Sequence, residues 1–136
     1  MVSIIDTRIT EISAKRMKWD TSAKGMNVKI DIIDVKERGN DLVLVFNYSI
    51  DYEKDVAFMS LSAETVLSVS PSEKKEVLTE WKSKRNLPVQ FAEEILAPIT
   101  YTGTTIGTLL AFALNIQAPL NLPRPRLQPG KASPAA

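Results

Sequence analysis

The segment from Ile95 to Pro123 contains no charged residue, although 24% of the whole chain is charged. We expect such a segment to be buried by a membrane, by the core of the domain itself or by another copy of the protein. A membrane span needs about 20 consecutive apolar residues. The longest purely apolar piece here is Leu109 to Leu114, and prolines, glycines and threonines interrupt the rest. We therefore predict a helix that is buried by protein, with no membrane insertion.

The second half of the chain is predicted to form two helices. The short helix starts after Ser70, which can cap its first turn, because Pro71 follows at the first helical position and a glutamate lies three residues after the cap. The long helix starts near Pro88, and apolar residues recur at helical spacing as far as Leu114. Pro98 should kink or interrupt this helix, since it removes one backbone donor.

Two glycines of the long helix, Gly103 and Gly107, are four residues apart and therefore lie on one helix face. Missing side chains let another backbone approach closely, and that backbone belongs either to the chain's own sheet or to another copy. A helix that is uncharged nearly all round needs burial on more than one side, which favours oligomer formation. We predict a homo-oligomer, a tetramer built from dimers, with an interface formed by Gly103, Ile106, Gly107 and Leu110.

The first half of the chain alternates apolar and polar residues in four runs, as β-strands with one buried face do. The alternation slips between Ile9 and Ile12 and again between Ile32 and Ile33, which predicts a β-bulge in each of the first two strands. The turn sequence "ERGND" predicts a hairpin between the second and third strands. The predicted fold class is α+β, with a four-stranded antiparallel meander sheet followed by a short and a long helix.

The residue types present exclude several kinds of chemistry. The chain has no Cys and no His, which removes disulfides, thiolate or imidazole metal sites and every mechanism that uses imidazole as a base. No nucleophile elbow or phosphate-binding loop is present, so we predict a protein that is not an enzyme and needs no cofactor or metal. Charged residues follow the N-terminus too closely for a signal peptide, and we therefore expect a cytoplasmic protein.

The charge balance differs between the domain and its tail. We predict a folded domain over residues 1–117 and a largely disordered, Pro-rich basic tail over residues 118–136. Arg124, Arg126 and Lys131 fall in the tail, which leaves 14 of the 17 basic residues and all 16 acidic residues in the domain. A slightly acidic domain has no electrostatic reason to bind nucleic acid.

Three stretches of the sequence resemble the bacterial export chaperone SecB. They are "RITEISAKRM", "EKDVAFMSLS" and "GTLLAFALNIQAPLNLPRPRL", and the last is most similar at "LNLP". The resemblance implies a dimer of dimers with the helices packed between two sheets. It also implies an ATP-independent holdase that binds non-native or preprotein polypeptides. The acidic residues by which the family docks the SecA motor are mostly replaced here, because only Glu11 is kept while Lys15 and Leu61 stand at the other places. We therefore expect a SecB-like holdase that does not dock SecA.

A holdase needs adaptable apolar side chains, which aromatic residues and Met provide. For every candidate the alternative is ordinary core packing, which is the stronger interpretation for Phe58 and Trp81. The other function considered is a non-enzymatic adaptor or assembly factor whose Pro-rich tail docks into a partner. The predicted polypeptide-binding residues, the last two by analogy with the SecB loop after the long helix, are Met17, Trp19, Met26, Phe58, Trp81, Leu120 and Leu122.

Overall fold

The computed structural model describes residues 2–21 and 25–119. The predicted α+β architecture is confirmed, because four antiparallel strands are followed by a short and a long helix. Leu120, Leu122 and the rest of the tail from residue 120 onward lie outside the described residues. The elements are β1 (Ser3–Arg16), β2 (Met26–Arg38), β3 (Asp41–Tyr52), a 3-10 turn (Glu53–Asp55), β4 (Ala57–Ser68), α1 (Pro71–Lys84) and α2 (Val89–Ala113).

The strands form one sheet in the order β1-β4-β3-β2. Strands β2, β3 and β4 form a meander, and the turn between β2 and β3 places Gly39 at a φ of 60°, a conformation that glycine adopts at no steric cost. β1 lies beside β4 on the far edge instead of beside β2. β1 and β2 are therefore the two edge strands.

The predicted bulges are present in both edge strands. The pairing of β1 with β4 shifts between Ile9 and Glu11, and the pairing of β2 with β3 shifts between Ile32 and Asp34. A further shift between Ile4 and Asp6 is stabilised by the buried Thr65, whose hydroxyl donates to the Asp6 carbonyl over 3.1 Å. Because of each bulge, the apolar residues before it and after it lie on the same face of the sheet, the face that carries the helices.

α2 covers the two central strands. Its buried stripe packs on the sheet, and its N-terminal part contributes Phe91, Ile95 and Ile99 to the core. α1 is capped by Ser70, which accepts from the Glu73 amide as predicted. α2 continues through Pro98, so the proline does not interrupt the helix.

By length and composition alone α2 could span a membrane, and 33% of its most apolar window is buried inside the protein. The core helix of a soluble protein passes the same test, so this finding is weak evidence for a membrane span.

The two helix glycines face the chain's own sheet. A Cβ on Gly103 would collide with the ring of Tyr48, whose hydroxyl lies 3.3 Å from that of Thr104. A Cβ on Gly107 would lie 2.9 Å from Pro119 Cγ and 3.0 Å from Ile50 Cδ1. The close approach is therefore within the chain, and the prediction that these two glycines form an interface between copies is corrected. Ile106 and Leu110 lie beside this stripe and are partly buried against the chain's own core.

Because Gly103 packs closely on Tyr48, an alanine at Gly103 should cost more folding stability than an alanine at Gly107. We expect Gly103→Ala to lower the free energy of unfolding by about 1–2 kcal/mol, because overpacking costs about 1–3 kcal/mol and outweighs the helix propensity gained over Gly. Gly107→Ala is the matched control, with a smaller loss, since the ends of Ile50 and Pro119 have more freedom to move than a buried ring. Denaturant unfolding at one fixed protein concentration measures both. A Gly103→Ala protein as stable as the parent would contradict the close approach.

Candidate functional site

The loop between β1 and β2 is fixed at both ends where the structure describes it. The backbone amides of Met17 and Lys18 donate to the Val56 carbonyl at 2.8 and 3.2 Å, and the Glu53 amide donates to the Gly25 carbonyl at 3.0 Å. The Lys18 ammonium also donates to the Lys54 carbonyl at 2.8 Å. The loop is therefore attached to the turn between β3 and β4, and its side chains project from a rigid base.

Trp19 projects from this loop and is 63% exposed. The guanidinium carbon of Arg16 lies 4.5 Å from its ring centroid, within the range of a cation–π interaction. An indole this exposed is not packed in the core, so the alternative interpretation of Trp19 as a core residue does not fit the structure. Met17 is also exposed, two residues away in the same loop, whereas Met26 is partly buried against the core at the start of β2. Met17 and Trp19 are therefore the two exposed candidates in the described part of this loop.

Phe58 and Trp81 lie elsewhere. Phe58 is 42% exposed, but it pairs with Lys15 and Asp51 on the outer face of the sheet, away from the helices. Trp81 is only 6% exposed, and its indole Nε1 has no hydrogen-bond partner among the residues that the structure describes. Trp81 is therefore a core residue, in agreement with the core-packing interpretation of its sequence position. A bound polypeptide cannot reach it in this structure.

The structure also exposes apolar side chains that were not among the predicted polypeptide-binding residues, on α2 and on the two edge strands. Directly paired residues share one face of a sheet, and three exposed edge-strand residues pair with core residues on the helix side: Ile4 with Leu67, Ile12 with Leu61, and Val28 with Ile50. α2 leaves these residues uncovered and presents further apolar side chains outward. We call the whole set the helix-side surface, formed by Ile4, Ile12, Val28, Val89, Leu96, Tyr101, Leu109 and Phe112.

The position of each residue around the helix axis is the sequence signal that could have identified the α2 part of this surface. Because Ile99 and Gly103 face the sheet, Tyr101, two residues from each, must face away from it. Sequence reasoning noticed the uncharged run but assigned the intermolecular contact to the glycines. Exposed apolar side chains in this number mark a candidate interaction site.

Hydrogen bonds fix the C-terminal end of α2 and the segment that follows it. Arg16 Nη1 donates to the carbonyls of Leu114 and Asn115 at 3.1 and 2.6 Å, and the Tyr52 hydroxyl donates to the Gln117 carbonyl at 2.6 Å. Burial raises the pKa of Tyr52 to about 12, so its phenol stays a donor at neutral pH. Residues 114–117 are thereby held at the same end of the sheet as Trp19.

The outer face of the sheet is polar at its centre. Asn47 donates from Nδ2 to the hydroxyls of Ser60 and Ser62 at 3.0 Å each. Glu11 and Lys15 are exposed on this face, but Leu61 is 3% exposed and faces the helices. The comparison of Leu61 with an acidic SecA-docking residue is therefore wrong, because its side chain belongs to the core.

A groove of about 410 Å³ runs along α1 and contains several lysines. Its most enclosed ammonium, that of Lys74, is already bound to the Glu37 carboxylate at 2.7 Å and to the Gly39 carbonyl at 2.7 Å. This ion pair lowers the pKa of the exposed Glu37. Over residues 2–21 and 25–119, the acidic side chains form no group of three or more that could hold a metal ion.

Sequence comparison and structure comparison give different results for this chain. No family model matches it, and no curated protein matches its sequence significantly. A solved structure does match, that of the Mycobacterium tuberculosis Rv1957 SecB-like chaperone in complex with a ChAD peptide from the Rv1956 HigA1 antitoxin. The TM-score is 0.61 at 14% identity, over 90% of this chain and 86% of that one. The chain has a SecB-like fold.

A second structure, a protein of unknown function from Streptococcus agalactiae, matches at 12% identity with a TM-score of 0.43, over 91% of this chain and 98% of that one.

Proposed function

We propose that this protein is an ATP-independent, SecB-like chaperone that holds non-native polypeptides in the cytoplasm and does not dock SecA. The observation that carries the proposal is Trp19, a large aromatic side chain that remains exposed although the backbone just before it, at Met17 and Lys18, is hydrogen-bonded to Val56. The SecB-like fold supports it, since the M. tuberculosis neighbour is a SecB-like chaperone in complex with a peptide.

The chemistry of such a site is burial of apolar side chains from many different sequences. An indole offers a large apolar face, and the adjacent Met17 supplies a flexible, polarizable side chain that adapts to different partners. Because the base of the loop is already ordered, a polypeptide that binds there does not have to order it. No nucleotide is needed for this kind of binding, which we expect to be non-enzymatic.

Trp19→Ala should separate polypeptide binding from folding. We expect it to weaken binding of a permanently unfolded test polypeptide by about 1–3 kcal/mol, as aromatic anchors do, and to leave the melting temperature nearly unchanged because the ring is exposed. Wild-type protein should suppress aggregation of that polypeptide without ATP. Titration by fluorescence and thermal melting measure the two effects.

Trp81→Phe is the matched control for that experiment. The substitution loses buried indole area but also removes a buried N–H that has no partner among the described residues, so the loss of folding stability is partly offset. Polypeptide binding should stay at the wild-type level. If the wild-type protein ignores unfolded chains and binds only one folded partner, the holdase proposal is wrong and the adaptor with its Pro-rich tail takes its place.

We further propose that the helix-side surface is buried between copies, giving a homotetramer with helices between sheets. The support is its composition, since the outward side chains of α2 from Ile95 onward are uncharged. Ile106 and Leu110 would lie at the margin of this interface, because they are partly buried within the chain already. Obligate interfaces have this apolar character.

The double substitution Leu109→Glu with Phe112→Glu should lower the mass in solution, because two carboxylates would be buried without partners at the interface. Light scattering at micromolar concentration measures the mass. Lys75→Glu on the exposed side of α1 is the charge-changing control and should keep the wild-type mass. A wild-type protein that is monomeric under these conditions rules out the tetramer.

A further inference from the structure

Arg16, the last residue of β1, uses both the edge and the face of its guanidinium in contacts with other parts of the domain. Its Nε donates to the Lys18 carbonyl at 2.9 Å, and its Nη1 donates to the carbonyls of Leu114 and Asn115 at 3.1 and 2.6 Å. The guanidinium carbon lies 4.5 Å from the ring centroid of Trp19. The edge of the group is thus committed to three carbonyls, while its face is available to the indole.

The end of α2 gives a reason for a cation at this place. The backbone amides of residues 114–116 already bond to the carbonyls of Leu110, Ala111 and Phe112. The helix dipole still leaves partial negative charge at this end, and the two carbonyls that Arg16 reaches lie in the turn directly after the helix. The last turn of α2 contains no basic residue, and the chain then leaves the helix through Asn115 at a φ of 52°. Arg16 supplies the missing positive charge from a different element of the fold, which fixes where its guanidinium lies.

Trp19 gives a reason for a planar group. Its ring is mostly exposed, and the cation–π contact with Arg16 holds it beside the end of α2. A planar guanidinium stacks on an aromatic face, whereas a lysine ammonium offers only a point charge. A ring held in one orientation loses less rotamer entropy when a ligand covers it.

We propose that Arg16 is a positioning residue for polypeptide binding. Its guanidinium orients the indole of Trp19, so that the other side of the ring stays open to an apolar side chain of the bound polypeptide. The same guanidinium ties the ring to the C-terminal end of α2. This inference rests on the proposed holdase function, and it adds a residue that touches no bound polypeptide itself but acts through Trp19.

The first test follows the ring without any polypeptide. The chain has two Trp residues, so in a Trp81→Phe background Trp19 is the single tryptophan and can be excited selectively over the tyrosines. Arg16→Lys keeps the charge but removes the planar face, and it should lower the fluorescence anisotropy of Trp19. Lys15→Gln, the neighbouring substitution on the opposite face of the sheet, should leave the anisotropy unchanged. Unchanged anisotropy in Arg16→Lys would overturn the positioning role, whatever the protein binds.

The second test is a double-substitution cycle on polypeptide affinity, with Trp81 intact. Arg16→Lys should weaken binding of an unfolded test polypeptide by about two- to five-fold, the range expected for an exposed cation–π contact. In a Trp19→Ala background the same substitution should have no further effect, because Arg16 acts through the ring. An equal loss in both backgrounds would show that Arg16 acts through α2 and would overturn the proposal. If the wild-type protein binds no polypeptide but the anisotropy falls as expected, the holdase function fails while the orientation of the ring by Arg16 stands.

Discussion

The close packing of α2 on the sheet through Gly103 and Tyr48 is the contact on which the rest of the structure depends. Tyr48 stands at the centre of β3, and only a residue without a side chain lets the helix backbone pass over its ring. A helix this close covers the central strands, and α1 packs on part of β2, but some apolar side chains of the edge strands stay exposed on the same side. The exposed side chains of Ile12 and Val28 are a direct consequence.

The two faces of the sheet therefore have different chemistry. The helix side is apolar beyond the area that one chain covers, whereas the centre of the outer side consists of hydroxyl and amide groups that bond to one another around Asn47. Apolar partners, whether another copy or a non-native polypeptide, should prefer the helix side. The Trp19 loop lies at the end of the sheet where α2 terminates, and Arg16 joins these two features.

The sequence predicted those parts of the fold that depend on local pattern. A break in apolar alternation is a local signal, so the bulges near Ile9 and Ile32 were predictable, and the Ser70 cap was predictable for the same reason. The spacing of Gly103 and Gly107 established that they share a helix face. It could not establish which backbone approaches that face, because this depends on Tyr48, which is far away in the chain.

The candidate site was predictable in part. Two apolar residues among polar neighbours indicated the loop of Met17 and Trp19, and the structure leaves both exposed. The same reasoning could not separate Trp19 from Trp81, because burial of a single aromatic residue depends on tertiary packing. Arg16 carries no local signal at all, since its partners at Leu114 and Asn115 come from the other end of the domain.

We propose that non-native polypeptides bind beside Trp19 and not on the outer face of the sheet. The chain contains no cysteine, so an environment-sensitive dye can be attached at one introduced cysteine, either Asp20→Cys in the loop or Lys36→Cys on the outer face of β2. When a permanently unfolded polypeptide is added, the emission of the dye at residue 20 should shift to the blue while the dye at residue 36 does not respond. A response at residue 36 with none at residue 20 would contradict the account.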